Sequence, residues 1–414
     1  MDKLNYQKEL FSNRLKKRYK ELRKWARKNR VSCYRLYDRD IPEIPVSLDL
    51  YEFLPDTVDT PVEAARFMAE QNARLSANEP GVETEIKQRT FAVLYLYERP
   101  YEKDEAEEEL WLEAMADVCS DVLGIEQSHI VKKSRGHKSH KDSQYEKNNI
   151  KDPRVKPEDD KSSVAEDDKS SVAEDDNTNV SLSGLTRQSI TGIVQEQGQL
   201  FRVDLTTYLD TGLFFDHRTL RSTVRDTCSK TRVLNLFCYT ASFSVYAAQG
   251  NAAYVESVDL SNTYLDWAKE NMILNGFSDK KRYLYTRADC MRFLQEKAVA
   301  AKSGQLEPAG LYDIIILDPP TFSNSKNTAD ILDINRDWPQ LVKDCLNILS
   351  PNGTLYFSTN SERLKFDISK IPPKTAAGKE FSCTEITAQT IPYDFEGKKP
   401  HKVWELKLVS KTTF

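Results

Sequence analysis

No stretch of this 414-residue chain is apolar for long enough to cross a bilayer, and its start, MDKLNYQKEL, lacks the apolar core of a secretion signal. The expectation is a soluble, cytosolic protein without a membrane partner. Cysteine is sparse, and the seven residues (33, 119, 228, 238, 290, 345 and 383) form no CxxC pair. A disulfide frame or zinc module is therefore excluded in favour of reduced thiols. His137 and His140 sit in a basic loop (134–147) with no third ligand in view, so no metal is expected. A GxGxxG motif is also missing, which argues against a pyrophosphate cradle and a nicotinamide cofactor.

What is present suffices for two domains, with 39 % hydrophobic and 30 % charged residues. The net charge of −5 averages two opposed blocks. Arg14 to Arg35 holds eleven Lys/Arg against one acid, Glu21; Pro157 to Asp176 holds nine acids against two lysines. Without the second block the remainder would stand at +2. The distribution, not the total, speaks about partners.

Residues 11–29 read as an amphipathic helix. Leu15, Tyr19, Leu22 and Ala26 form its apolar stripe, and Lys16, Lys17, Arg18, Lys20, Arg23 and Lys24 lie on other faces. So one-sided a charge suits a phosphate backbone, and these six are the expected RNA contacts. Strands are expected at 46–53, 90–98 and 130–133, and helices at 61–75 and 105–123. The octapeptide EDDKSSVA at 158–165 repeats at 166–173, and a third EDD follows. With almost nothing to bury, 151–190 reads as a disordered acidic insertion. A hairpin turning near Gly198 comes next.

From residue 231 the pattern alternates strictly. Strands are expected near 232–237, 253–259, 283–288, 312–317 and 354–358. Helices are expected near 242–249, 261–274, 290–300 and 336–349, with a Pro351-Asn352-Gly353 turn before the last strand. Late strands at 383–391 and 403–409 would add antiparallel at one edge. Repeated βα units imply a doubly wound α/β sheet.

The apolar run Ile314–Leu317 stops at Asp318-Pro319-Pro320. Two prolines cannot continue a ladder, so Asp318 is held at the carboxyl end of a core strand, where ligands of open α/β sheets sit. Asp259, twenty-four residues after Asn235, ends the second strand, where a carboxylate can bind two ribose hydroxyls; Asp289 ends the third. Acids closing three strands at one edge form an adenosine-site pattern.

These pieces, with NRLKKRYKELRKWARKN, TGLFFDHR, NLFCYTASFSV and ILDPPTFSNSK, give the chain a clear resemblance. It resembles the class I S-adenosylmethionine-dependent methyltransferases. More closely, it resembles the K half of the bifunctional bacterial large-subunit rRNA methyltransferases, which makes 7-methylguanosine in 23S rRNA.

The resemblance implies a Rossmann-like class I methyltransferase domain (205–414) behind a smaller N-terminal α/β RNA-binding domain (41–204), preceded by a basic helix and arm (1–40). It implies S-adenosylmethionine bound by Phe214, Asp216, Arg218, Asn235, Phe237, Tyr239, Asp259 and Asp289. Asp318, Pro319, Pro320 and Phe322 would hold the target base. The implied partners are 23S rRNA or a large-subunit precursor particle, and a separately encoded RNA-binding methyltransferase. Ala241 stands where the relatives carry glycine, which would matter if that position needs a positive φ. An exocyclic-amine methyltransferase and a non-catalytic RNA-binding assembly factor are the rivals. Cytosine carbon-5 chemistry would need a cysteine where this chain has Thr359.

Overall fold

The computed structural model describes residues 2–97, 104–135, 189–323 and 331–409. The acidic repeat, the loop carrying His137 and His140, and the stretch 324–330 lie outside the described residues.

The N-terminal part is built on a four-stranded sheet. Its strands are β1 (Cys33–Asp38), β2 (Val46–Glu52), β3 (Thr90–Tyr97) and β4 (Ile130–Arg135), in that spatial order. The first three pair antiparallel, and β4 pairs parallel with β3 after the crossover helix α4 (Glu105–Leu123). Two helices, α2 (Pro61–Ser76) and α3 (Val82–Gln88), connect β2 to β3.

The basic helix α1 runs over Lys3–Lys28, starting eight residues before the expected position. Its inward face continues N-terminally through a polar residue. Gln7 donates to Glu43 O (3.1 Å) and accepts from Trp111 Nε1 (2.9 Å), which an apolar-period reading does not see. Phe11, Leu15, Leu22 and Ala26 are at most 3 % exposed and pack with Trp111 and Met115 of α4. Helix α1 therefore contributes to the same core as the N-terminal sheet.

A hairpin of β5 (Thr191–Glu196) and β6 (Gln199–Asp204) turns through Gln197 and Gly198, both at positive φ, as a two-residue I′ turn requires. It sits between the two parts. Val194, Phe201 and Val203 share one core with Tyr51 and Tyr95 on one side and Leu213, Phe215 and Leu220 on the other.

The C-terminal part is a seven-stranded sheet. In chain order its strands are β7 (Arg232–Leu236), β8 (Tyr254–Asp259), β9 (Tyr283–Arg287), β10 (Tyr312–Leu317), β13 (Leu349–Thr359), β14 (Phe381–Glu385) and β15 (Lys402–Leu408). The short pair β11 (Phe322–Ser323) and β12 (Leu332–Asp333) lies outside it. The spatial order is β14-β15-β13-β10-β7-β8-β9, parallel from β13 to β9 with β14 and β15 antiparallel at the edge. The helices are α5 (Arg218–Thr227), α6 (Ser242–Gln249), α7 (Asn262–Leu274), α8 (Cys290–Lys302), α9 (Ile334–Asn347) and α10 (Thr387–Thr390). Ile314 to Leu317 are at most 5 % exposed, covered on both faces as a central parallel strand demands.

Two expectations differ from the structure here. Pro351-Asn352-Gly353 is not a turn before β13 but an irregular stretch inside it, with Asn352 at φ 66°. The strand expected at 383–391 ends at Glu385, and the chain then winds into α10.

Candidate cofactor and substrate site

Because β7, β8, β9 and β10 run parallel, their carboxyl ends share one rim. Asp259 ends β8, Asp289 caps α8 just beyond β9, and Asp318 follows β10. Between Asp318 and Asp259 lies the turn after β7, where Phe237, Tyr239 and Ala241 alternate at φ 53°, 51° and 60°. Its amides are largely committed: Cys238 N donates to Val258 O (3.0 Å) and Tyr239 N to Asp259 Oδ2 (3.0 Å). Position 241 does need the left-handed region. Ala241, fully buried, holds it at a cost of about 1 kcal/mol relative to glycine.

Asp259 Oδ1 accepts from Ser261 N (2.9 Å). A carboxylate has about four acceptor positions, so room remains beside these amides for a pair of ribose hydroxyls. Burial raises its pKa against the opposing pull of the Ser261, Tyr239 and Leu260 amides. Asp289 places Oδ1 on the amides of Met291 (2.8 Å) and Arg292 (3.1 Å), capping α8.

An aromatic wall adjoins them. The Tyr239 ring lies 5.3 Å from Phe214, 4.6 Å from Tyr264 and 6.3 Å from Trp267. Phe214 is 44 % exposed, which is unusual for a phenylalanine and leaves a ring face open to a ligand. The loop carrying it is pinned at Gly212 (φ 101°), whose O accepts from Thr240 Oγ1 (2.6 Å); a Cβ there would meet the Trp267 ring at 2.3 Å. Ribose acceptors beside π-faces that attract a cation fit S-adenosylmethionine, the cofactor the resemblance implies.

At the Asp318 corner the carboxylate faces a histidine. His217 Nε2 lies 3.5 Å from Asp318 Oδ1 and 2.6 Å from Ser358 Oγ, at the end of β13. Its Nδ1 is 3.3 Å from Asp216 Oδ2, which also lies 3.2 Å from His401 Nδ1. Burial opposes charge on His217, but the Asp318 and Asp216 carboxylates outweigh it and push its pKa up to about 10. Burial likewise works against the Asp318 carboxylate, yet the His217 cation and Ser358 hold it below the usual range. At neutral pH the corner is an ion pair.

The structure sets Asp259, Asp289 and Asp318 at the ends of β8, β9 and β10 with Phe237 and Tyr239 in the turn between, Phe214 against Tyr239, and Asp216 against His217 beside Asp318; Pro319, Pro320 and the 39 % exposed Phe322 follow Asp318 in the chain. It does not bring Asn235 or Arg218 to this rim. Asn235 is 2 % exposed and donates to Ser244 Oγ (2.9 Å) inside the β7–α6 layer. Arg218 is 1 % exposed, donating to Glu196 (2.9 Å), Asp394 (2.6 Å) and Cys33 O (2.9 Å). It joins the hairpin, the N-terminal sheet and the C-terminal segment instead of facing a ligand.

Of the expected RNA contacts, Lys16, Lys17, Lys20 and Lys24 are exposed. Arg18 is not free: only 14 % of its side chain is exposed, and it donates to Asp394 O (3.3 Å) and pairs with Glu21 (3.5 Å). Arg23 lies over the Tyr19 ring, 3.8 Å from Glu83. His217, His401, Ser358, Tyr264 and Trp267 are not among the site residues expected from the sequence. The one usable signal was the position of His217 between Asp216 and Arg218 in TGLFFDHR.

Comparison with known proteins agrees with this geometry. A family model for S-adenosylmethionine-dependent methyltransferases matches residues 174–374. The ribosomal RNA large subunit methyltransferase K of Neisseria meningitidis serogroup B is 34 % identical over 397 residues, covering 96 % of this chain and 86 % of that protein. The methyltransferase K/L of Cellvibrio japonicus is 35 % identical over 403 residues, but this chain spans only 42 % of it. A Streptococcus mutans structure described as an S-adenosylmethionine-dependent methyltransferase aligns over 98 % of this chain and 82 % of its own, with a TM-score of 0.58 and 18 % identity, a likeness of fold alone. On the strength of the Neisseria relative, the chain belongs to the ribosomal RNA large subunit methyltransferase K family of S-adenosylmethionine-dependent, Rossmann-like enzymes.

Proposed function

We propose that this chain methylates a guanine of 23S rRNA, producing 7-methylguanosine. The observation that carries the reading is the Asp318 corner, where the carboxylate lies 3.5 Å from His217 Nε2 and is held below the usual carboxylate range by that imidazole's charge. Guanine N7 has a lone pair and no proton to lose, so in-line methyl transfer needs placement and charge stabilisation only. S-adenosylmethionine supplies an electrophilic methyl group on a sulfonium.

The chain's residues do the rest. Asp259 takes the ribose hydroxyls, Asp289 accepts from the adenine amine, and Phe214 and Tyr239 face the cationic sulfur. Asp318 accepts a hydrogen bond from the guanine and offsets the positive charge that develops on the ring. Pro319 and Pro320 stiffen the corner, and Phe322 lies against the base. Methylation of an exocyclic amine is the second reading, because that group must shed a proton. The depressed pKa of Asp318 makes it a weak base for this step. Cytosine carbon-5 chemistry lacks its thiolate: Thr359 is fully buried, and burial drives the pKa values of Cys238 and Cys290 upward.

The N-terminal part with the lysines of α1 would grip the RNA, as naked 23S rRNA or within a large-subunit precursor particle. A separately encoded methyltransferase would be a natural partner in the cytoplasm. Undermodified large-subunit RNA incubated with methyl-labelled cofactor, followed by mass-spectrometric mapping of the modified atom, tests the reading. Label at guanine N7 supports it; label on an exocyclic amine, or none, overturns it.

A further inference from the structure

Behind the Asp318 corner lies a cleft of about 970 Å³ that the cofactor reading leaves unused. Its inner wall is Thr359 at the end of β13 and Asn360 and Ser361 just beyond it, with His401 also lining the cleft. The wall touches the catalytic rim twice. Thr321, next to Pro320, donates to Asn360 Oδ1 (2.7 Å), and His401 contacts the same Asp216 oxygen that faces His217. Its outer wall carries Tyr393, which is 41 % exposed. The Tyr393 ring rests 5.5 Å from Trp25 of α1, and its hydroxyl donates to Glu21 (2.8 Å).

On a helical wheel Lys17 and Lys24 stand within roughly 60° of Glu21, so they flank the line along which α1 meets Tyr393. Exposed Lys399 lines the cleft, and exposed Arg363 and Lys365 follow its inner wall. Glu362, Glu385 and Glu396 also line it. A purely phosphate-binding groove would exclude these acids. A groove for an unpaired strand would use them, because carboxylates accept from base amines while cations follow the backbone.

We propose that this cleft holds the single-stranded RNA beside the target nucleotide, with a base stacked on Tyr393 and the backbone passing Lys399 toward the lysines of α1. The inference rests on the RNA methyltransferase reading and specifies where its substrate lies. A base of any identity can stack on Tyr393, because an aromatic face accepts bases without sequence preference.

The full chain should be titrated with a fluorescent single-stranded RNA oligonucleotide of mixed sequence, and separately with S-adenosylmethionine. Tyr393→Ala should weaken RNA binding on the order of tenfold. Lys399→Glu should reduce the salt dependence of binding by about one counterion. Tyr393→Phe keeps the ring and loses only the Glu21 bond, so it should bind RNA within about twofold of the parent; cofactor affinity should not move in any variant. RNA binding unchanged in Tyr393→Ala, or an equal loss in Tyr393→Phe, overturns the cleft assignment while leaving the methyltransferase reading intact. Failure of the parent chain to bind or methylate any RNA overturns both. Competition for the cleft by a ribosomal protein, with RNA affinity insensitive to position 393, overturns the choice of occupant.

Discussion

The Nε2 atom of His217 stands 3.5 Å from Oδ1 of Asp318, and both groups are charged at neutral pH. The contact links the loop of the cofactor side to the corner that would receive the base. It also gives stability a pH signature. The folded pKa of His217, about 10, lies above its unfolded value of about 6.5. Its contribution is complete below pH ~6.5 and is lost as pH rises toward 10, at up to about 1.4 kcal/mol per pH unit. Denaturant titrations at several pH values should show His217→Gln less stable than the parent at pH 6.5, with the gap closing by pH 10. A gap that stays constant would mean that the imidazole is neutral in the fold. Asp318 works in the opposite sense, since its depressed pKa adds stability that disappears as acid protonates it.

Arg218 should prove to be a clamp and not a ligand. Arg218→Met leaves Glu196 and Asp394 buried with one cation fewer, and removing one partner of such a cluster costs about 3–5 kcal/mol. Urea unfolding should show that loss, while S-adenosylmethionine affinity of the still-folded protein stays within a few-fold of the parent. Intact stability with lost cofactor affinity would restore the ligand role.

Much of the catalytic part was legible because its strands are short apolar runs broken by turns. The helix expected at 242–249 is Ser242–Gln249, and the strand expected at 312–317 is Tyr312–Leu317. Side-chain direction was not legible. Arg218 sits in a motif beside cofactor-site candidates, yet its partners lie 22 and 176 residues away and no local spacing announces them. Asn235 likewise looks like a turn residue, but the pleat of β7 points it at Ser244. The first turns of α1 were hidden because their one fully buried residue is the polar Gln7, with Leu4 and Leu10 only partly covered beside it.

Ala241→Gly should relieve the left-handed strain, although glycine also frees the unfolded chain. The expected balance is a gain of up to about 1 kcal/mol in thermal or chemical unfolding, with cofactor affinity retained. A marked loss of either would mean that the methyl of Ala241 is needed for packing more than the turn needs glycine.

Reversing Lys16, Lys17, Lys20 and Lys24 to glutamate leaves the buried face of α1 untouched, because all four are exposed. RNA affinity should fall and its logarithmic salt slope should flatten by several counterions, with folding unaffected. An unchanged slope would remove α1 from the phosphate-binding surface.

The most direct test separates the two ends of the rim by measuring cofactor binding and methyl transfer on the same two variants. Asp259→Ala should weaken S-adenosylmethionine binding by about a hundredfold, as expected for losing two charge-assisted hydrogen bonds. Asp318→Asn should bind the cofactor like the parent while losing most methyl transfer to RNA. If Asp318→Asn transferred methyl at the parental rate, or Asp259→Ala kept its cofactor affinity, the division of the rim between donor and base would be contradicted.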